Sequence, residues 1–283
     1  MSKKPAASQR TLAGKYDYEE LPLEGNTSTG MILQQVTKGS TVLEFGCASG
    51  RMTKYMKEQL GCSVYIVEYE KEAFERARAF AEDGLCGDIL RYEWLTAFGD
   101  VRFDFILFAD VLEHLSDPET VLAKAKTLLR EDGSILCSIP NAGHGDVLMS
   151  LYENRFPYRT VGLLDNTHIH LFAYEEIEPM LERAGLRAVV EDAVYCPVFS
   201  SEFGPSLLEA DRPLYDQLLA RRMLSDVYQF VYKLQSREHV ERFNLFKRST
   251  LAKYPESARC RIVSDGDEYM PVPYLVTFEG ARY

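Results

Sequence analysis

The stretch TVLEFGCASG, residues 41–50, decides how the rest of the chain is read. Val42, Leu43 and Phe45 form a short run that favours extended backbone and suits a buried strand. The run breaks into Gly46-Cys47-Ala48-Ser49-Gly50. Met52, Tyr55, Met56 and Leu60 then recur at three- and four-residue spacing, the period of an amphipathic helix, and Gly61 stops it. Strand, glycine turn, helix opens a nucleotide-type α/β unit, in which small residues let backbone approach a ligand at the carboxyl edge of a sheet. A dinucleotide is not the ligand this turn suggests: G-x-G-x-x-G counted from Gly46 needs glycines where Ala48 and Arg51 stand.

The chain around this turn is acidic and otherwise ordinary. Of its 283 residues 46% are apolar and 27% charged, a globular composition large enough for one domain with an appendage. With 43 acids against 32 bases the net charge is −11, which disfavours nucleic acid as a partner. No run approaches the ~18 apolar residues of a membrane span. The opening MSKKPAASQR has charge but no apolar core, so neither a membrane partner nor a signal peptide is expected. Cys47, Cys62, Cys86, Cys137, Cys196 and Cys260 form no C-x-x-C, which points to a reduced, cytoplasmic protein without a disulfide framework.

Further elements follow in order. Residues 64–68 read as a second strand ending on Glu68, about twenty residues past the glycine turn, where such folds place a carboxylate that accepts ribose hydroxyls. A helix with Ala73, Phe74, Ala77, Phe80 and Ala81 on one face follows, then Leu85-Cys86-Gly87-Asp88. Residues 103–108 form a strand that runs into Ala109-Asp110-Val111-Leu112-Glu113-His114-Leu115. The next helix starts with Asp117 as cap, Pro118 at its first position and Glu119 in its first turn, and residues 134–139 are the following strand. Acids at the ends of strands one, two and four, with helices between, fit a doubly wound parallel α/β sheet.

The pattern E-x-G-x-x-x-G from Glu44 to Gly50 resembles motif I of the class I S-adenosylmethionine-dependent methyltransferases, with Ala48 where a glycine is usual. The stretch FDFILFADVLEHL, from residue 103, is similar to the segment where strand four of that superfamily meets the cofactor. The resemblance implies a Rossmann-like sheet of seven mostly parallel strands, the seventh antiparallel between five and six. It implies S-adenosylmethionine as cofactor, held by Glu44, Gly46, Cys47, Ala48, Gly50, Glu68, Tyr69, Asp88, Ile89, Ala109 and Asp110. An acid at Glu44 suits a cofactor that carries an ammonium and a sulfonium. Glu113 and His114 are read mainly as braces of their turn. Residues 1–40 are a lead-in: either they cover the cofactor through Tyr16, Tyr18 or Asn26, or they lie on the surface.

Residues 140–145, PNAGHG, and 155–172, RFPYRTVGLLDNTHIHLF, look like the P-N-x-x-H and G-x-L-D-x-T-H-x-x-F-F signatures of a bacterial subgroup found with polysaccharide and sugar pathways, although Leu171 replaces the first terminal aromatic. His144 falls just beyond a strand's carboxyl end, where open α/β sheets bind ligands. Asp165, Thr167, His168 and His170 fall on a long polar connection that reads as a lid or binding loop. The expected catalytic set is His144 as base, His168 as second candidate and Asp165 as their orienting partner, with His168 or His170 serving as a brace. No metal is expected, since the H-x-H of His168 and His170 lacks further ligands at recognisable spacing. The expected acceptor is a hydroxyl on a sugar, nucleotide-linked sugar or related metabolite. The alternatives are N- or O-methylation in secondary metabolism and a cofactor-binding protein without turnover.

The remaining expectations are a helix at residues 175–184 shortened or kinked by Pro179, a strand at 186–190, a helix at 206–223 and a strand at 227–234. The catalytic domain is thus expected to span residues 41–235. Residues 236–283, with strands at 261–263 and 274–278, form an extension that covers a sheet edge, overlies the substrate mouth or mediates a homo-oligomer.

Overall fold

The computed structural model describes residues 26–207, 212–219, 224–251, 263–265 and 268–270. Eight strands form one sheet: β1 (Thr41–Phe45), β2 (Ser63–Glu68), β3 (Asp83–Cys86), β4 (Phe103–Ala109), β5 (Leu129–Pro140), β6 (Leu186–Tyr195), β7 (Val227–Ser236) and β8 (Arg248–Ser249). Their order is β3-β2-β1-β4-β5-β7-β6-β8. Neighbours run parallel except at β7, which is antiparallel to both β5 and β6. The expected count of seven is corrected to eight among the described residues, while the antiparallel place of β7 between β5 and β6 is as expected. The eighth strand was not foreseen because two residues, Arg248 and Ser249, have no periodicity to detect.

The helices are α1 (Ser28–Leu33), α2 (Arg51–Leu60), α3 (Lys71–Ala77), α4 (Trp94–Ala97), α5 (Pro118–Ala125), α6 (Gly145–Tyr152), α7 (Tyr174–Arg183), α8 (Arg212–Leu219) and α9 (Arg237–Arg242). Alternation along the strands sends Leu43 and Phe45 into one apolar cluster and Val42 into another, so both faces of the sheet are covered. On one face Phe45 stacks on Phe108 at 4.6 Å and meets the edge of Trp94 at 5.0 Å.

Several boundaries differ from expectation. β5 begins at Leu129, pairs once with Phe103, and then shifts register before Ser134 joins Phe105. β6 continues to Tyr195, because β7 supplies partners along its length. α7 runs through Pro179 without a break. Of the helix expected at 206–223 the structure shows α8 and a 3-10 turn, Gly204–Leu207, with the rest outside the described residues. Val263–Asp265 and Glu268–Met270 pair as an antiparallel ribbon, β9 and β10. Tyr16, Tyr18 and the strand expected at 274–278 lie outside the described residues. Asn26 does not turn toward the glycine turn: its side chain exchanges hydrogen bonds with the backbone of Tyr195 at the end of β6. Among the described residues no helix is long and apolar enough to cross a membrane.

Candidate active site

Parallel strands place their carboxyl ends at one edge of the sheet, and a cleft of about 790 Å³ lies there. Gly46, Cys47 and Ala48 from the turn after β1, Glu68 and Tyr69 from the end of β2, Asp88 and Ile89 after β3, and Ala109 and Asp110 at the end of β4 all line it, as does Glu44.

The turn is built for close approach. Gly46 and Gly50 have φ of +65° and +81°, and Ala48 itself sits in the left-handed region at +48°. A Cβ on Gly50 would stand 2.6 Å from the Ala77 Cα, so glycine here lets α2 start against the end of α3. The Glu68 carboxylate secures the turn: Oε2 accepts the Ala48 N–H at 2.9 Å and Oε1 that of Glu70 at 2.8 Å. Burial still raises the Glu68 pKa. Glu44 is buried, and its Oε2 accepts the Thr53 hydroxyl at 2.6 Å. Burial pushes its pKa up to about 8 despite that bond, and the nearby Glu68 adds to the effect. Asp88 accepts the Leu90 N–H at 2.9 Å and caps the short turn Ile89–Arg91. Asp110 has φ of +56°, and its Oδ1 accepts the Ser138 hydroxyl at 2.5 Å and the Gln229 amide at 2.8 Å.

The far end of the cleft is lined by Glu113, His114, Asp165, Thr167 and His168. Glu113 and His114 belong to the 3-10 turn Leu112–His114, and the Glu113 carbonyl accepts N–H groups from Ile169 at 2.8 Å and His170 at 3.0 Å. That pairing brings the two segments together. His114 Nδ1 lies 3.1 Å from the Thr167 carbonyl, and the His114 and His168 rings meet edge to face at 4.8 Å. His168 Nδ1 lies 3.2 Å from the Leu163 carbonyl and its Nε2 is 3.9 Å from Glu113 Oε1. Asp165 is buried and accepts the Thr167 N–H and hydroxyl.

The reading of residues 155–172 as a long polar connection outside the core is corrected in one respect. Leu163, Leu164 and Asp165 are buried, and Glu202 ties the segment to Tyr228 of β7 through hydrogen bonds at 2.8 and 3.0 Å. Only Thr167 and His168 of its central part, with Val161, Gly162 and Asp165, reach the cleft wall. His170 stacks on Phe172, and its Nε2 lies 3.4 Å from the Ser116 carbonyl, so it is the brace of the pair.

His144 does not reach the cleft. It is fully buried, Nδ1 accepts the Asp146 N–H at 3.1 Å as the cap of α6, and Nε2 donates to the Cys196 carbonyl at 2.8 Å. Neither nitrogen is left for a substrate, and the expected base is therefore a structural residue. Its neighbours explain the P-N-x-x-H pattern. Asn141 donates to the Val227 carbonyl at 2.8 Å and accepts the Gly143 N–H, while the Asp146 carboxylate accepts from Phe199 and Ser201. The pattern knots the end of β5 to the start of β7.

Glu113 and His114, read mainly as braces of their turn, also line the cleft. Tyr228 and Gln229 were missed altogether: they enter it from β7, and no spacing motif links them to the glycine turn.

Residues 29–191, more than half of the chain, match the family described as a methyltransferase domain. The chain belongs to this family. The cofactor for which such a cleft is built is S-adenosylmethionine. Among curated proteins, the methyltransferase chain is 30% identical over 155 residues to a ubiquinone biosynthesis O-methyltransferase of Dinoroseobacter shibae, covering 54% of this chain and 62% of that protein. It is 26% identical over 170 residues to one of Aeromonas salmonicida, covering 58% and 70%. The chain thus spans somewhat less than two thirds of the Dinoroseobacter relative. The fold is shared with a SAM-dependent methyltransferase from Archaeoglobus fulgidus, at a TM-score of 0.51 and 16% identity over 73% of this chain and 90% of that one.

Proposed function

We propose that this methyltransferase moves the methyl group of S-adenosylmethionine to a hydroxyl oxygen of a small organic molecule. One observation carries the reading: Glu113, His114, Asp165 and His168 meet on the same cleft as the turn and acids of β1 and β2, but at its β4 end. A polar, partly buried pocket beside the cofactor edge suits an acceptor that must lose a proton as it attacks. The donor supplies a carbon already activated by sulfonium. What the chain's residues contribute is orientation of the acceptor, exclusion of water and removal of its proton at the Glu113–His114–His168 cluster.

The named O-methyltransferase relatives support a hydroxyl on a small metabolite over a sugar. The sugar reading leaned in part on the P-N-x-x-H signature, whose Asn141 and His144 are committed to internal hydrogen bonds and bear on no acceptor. The test is transfer of a labelled methyl group to a panel of phenols, catechols, aliphatic alcohols, amines and nucleotide sugars. Methylation of a phenolic or enolic hydroxyl is expected. Transfer confined to amines, or none to any acceptor by protein that binds the cofactor, overturns the proposal.

A further inference from the structure

We propose that Glu113, His114 and His168 hold a divalent transition-metal ion at the acceptor end of the cleft. One potential ligand atom from each of the three lies within 4.8 Å of the others. Glu113 is 1% exposed, and among the described residues neither carboxylate oxygen has a hydrogen-bond donor. A buried carboxylate in that state calls for an ion or a bound group to complete it. The charges that bear on it include the carboxylates of Asp110 and Asp165, which make the place more hospitable still to a cation.

His168 is oriented as a ligand is: its Nδ1 faces the Leu163 carbonyl and so carries the proton, while its Nε2 is the nitrogen on the Glu113 side. His114 brings one ring nitrogen within the same cluster. His168 Nε2 and Glu113 Oε1 are 3.9 Å apart. That separation suits an ion bound at about 2.0–2.2 Å to each. At the wider limit of the cluster, 4.8 Å, the donors would close by a little over about 1 Å to reach the roughly 3.3–3.6 Å spacing of a tetrahedral site with these bond lengths. The paired N–H groups of Ile169 and His170 on the Glu113 carbonyl hold the turn and the loop at this distance.

Two imidazoles and one carboxylate favour zinc, manganese or iron(II) over magnesium or calcium, which take oxygen ligands. Three protein ligands leave positions open for the acceptor. This role deepens the proposed methyl transfer. A hydroxyl bound to the ion gives its proton to water in the cleft. The oxygen's electron pair then forms the bond to the methyl carbon, while the carbon–sulfur pair leaves with sulfur, which becomes a neutral thioether. On this view His114 and His168 act as ligands and the ion lowers the hydroxyl pKa. The proposal departs from the expected metal-free site because spacing in the sequence does not link Glu113 and His114 to His168, 54 residues beyond His114.

The test uses the full chain stripped with a chelator and titrated with zinc or cobalt(II) by calorimetry, with S-adenosylhomocysteine binding measured on the same samples. One equivalent of metal is expected to bind, with a cobalt absorption band in the visible range. Glu113→Gln and His168→Ala should each weaken binding at least about tenfold while S-adenosylhomocysteine affinity is retained. Absence of saturable metal binding by protein that binds S-adenosylhomocysteine overturns the metal site and leaves the methyltransferase reading standing. Metal binding unchanged in both variants overturns it as well. Should the variants fail to fold, the wild-type stoichiometry and cobalt spectrum decide alone.

Discussion

Glu68 Oε2 accepts the backbone N–H of Ala48 at 2.9 Å, so the acid that ends β2 holds the turn that follows β1. Removing it takes away both the anchor of the turn and the carboxylate proposed to meet the ribose of the cofactor. Glu68→Ala is expected to weaken S-adenosylhomocysteine by about a hundredfold, as fits the loss of one or two hydrogen bonds to a charged group at about 1.5–3 kcal/mol each. Calorimetric titration checks this, and an affinity within threefold of wild type, as a rough bound, contradicts it.

Ala48 sits at φ +48°, a conformation that costs an L-residue roughly 1–2 kcal/mol. Glycine there removes that strain but adds flexibility to the unfolded chain, about 0.5–1 kcal/mol in the other direction. Ala48→Gly is therefore expected to stabilise the protein slightly, by up to about 1 kcal/mol, with cofactor affinity preserved. Urea unfolding measures it; a marked loss of stability would contradict the strained geometry of the turn.

His144, buried away from the cleft, and His168, on its wall, are expected to respond differently to removal. His144→Ala breaks two buried hydrogen bonds and should lower stability by about 2–4 kcal/mol, while the fraction that remains folded turns over at a near-normal rate. His168→Ala should do the reverse, cutting the rate by about a hundredfold or more. Thermal unfolding and single-turnover kinetics on both variants distinguish them. Equal rate losses at matched folded fraction would return His144 to the site.

Glu44 links stability to pH. Its pKa in the folded protein is pushed from the ordinary 4.5 to about 8 by burial, with Glu68 adding to the effect. Between those values the folded state keeps a proton that the unfolded chain has lost, so this group's contribution falls as pH rises through the interval. Glu44→Gln, which can still accept the Thr53 hydroxyl, should flatten that part of the profile. Midpoints of chemical unfolding from pH 5 to pH 8 test it, and equal slopes in the two proteins would contradict the assignment.

The part of the cleft formed by the turn after β1 and the ends of β2 to β4 was legible in the sequence because it is local. Gly46, Ala48, Glu68, Asp88 and Asp110 each sit at a strand end or in the turn that follows, where periodicity and spacing have direct geometric meaning. The acceptor half was less legible. Glu113 and His168 meet only because a backbone pairing folds residues 169 and 170 back onto the turn, and Gln229 reaches Asp110 across 119 residues. His144 misled for a related reason: its position after β5 is that of a ligand-binding residue, but the segment near Cys196 closes over it.

The position of β7 has a consequence for how the chain comes into being. Among the described residues the strand is the last of the long ones to leave the ribosome, yet it belongs between two that are already complete. Until residue 236 has emerged, β5 and β6 each present an open hydrogen-bonding edge to the other, and joining them directly would shut out the strand that carries Tyr228 and Gln229. A nascent chain must therefore hold that slot vacant, and crowded or chaperone-poor translation is where premature closure or pairing with a neighbouring chain would be lost to aggregation.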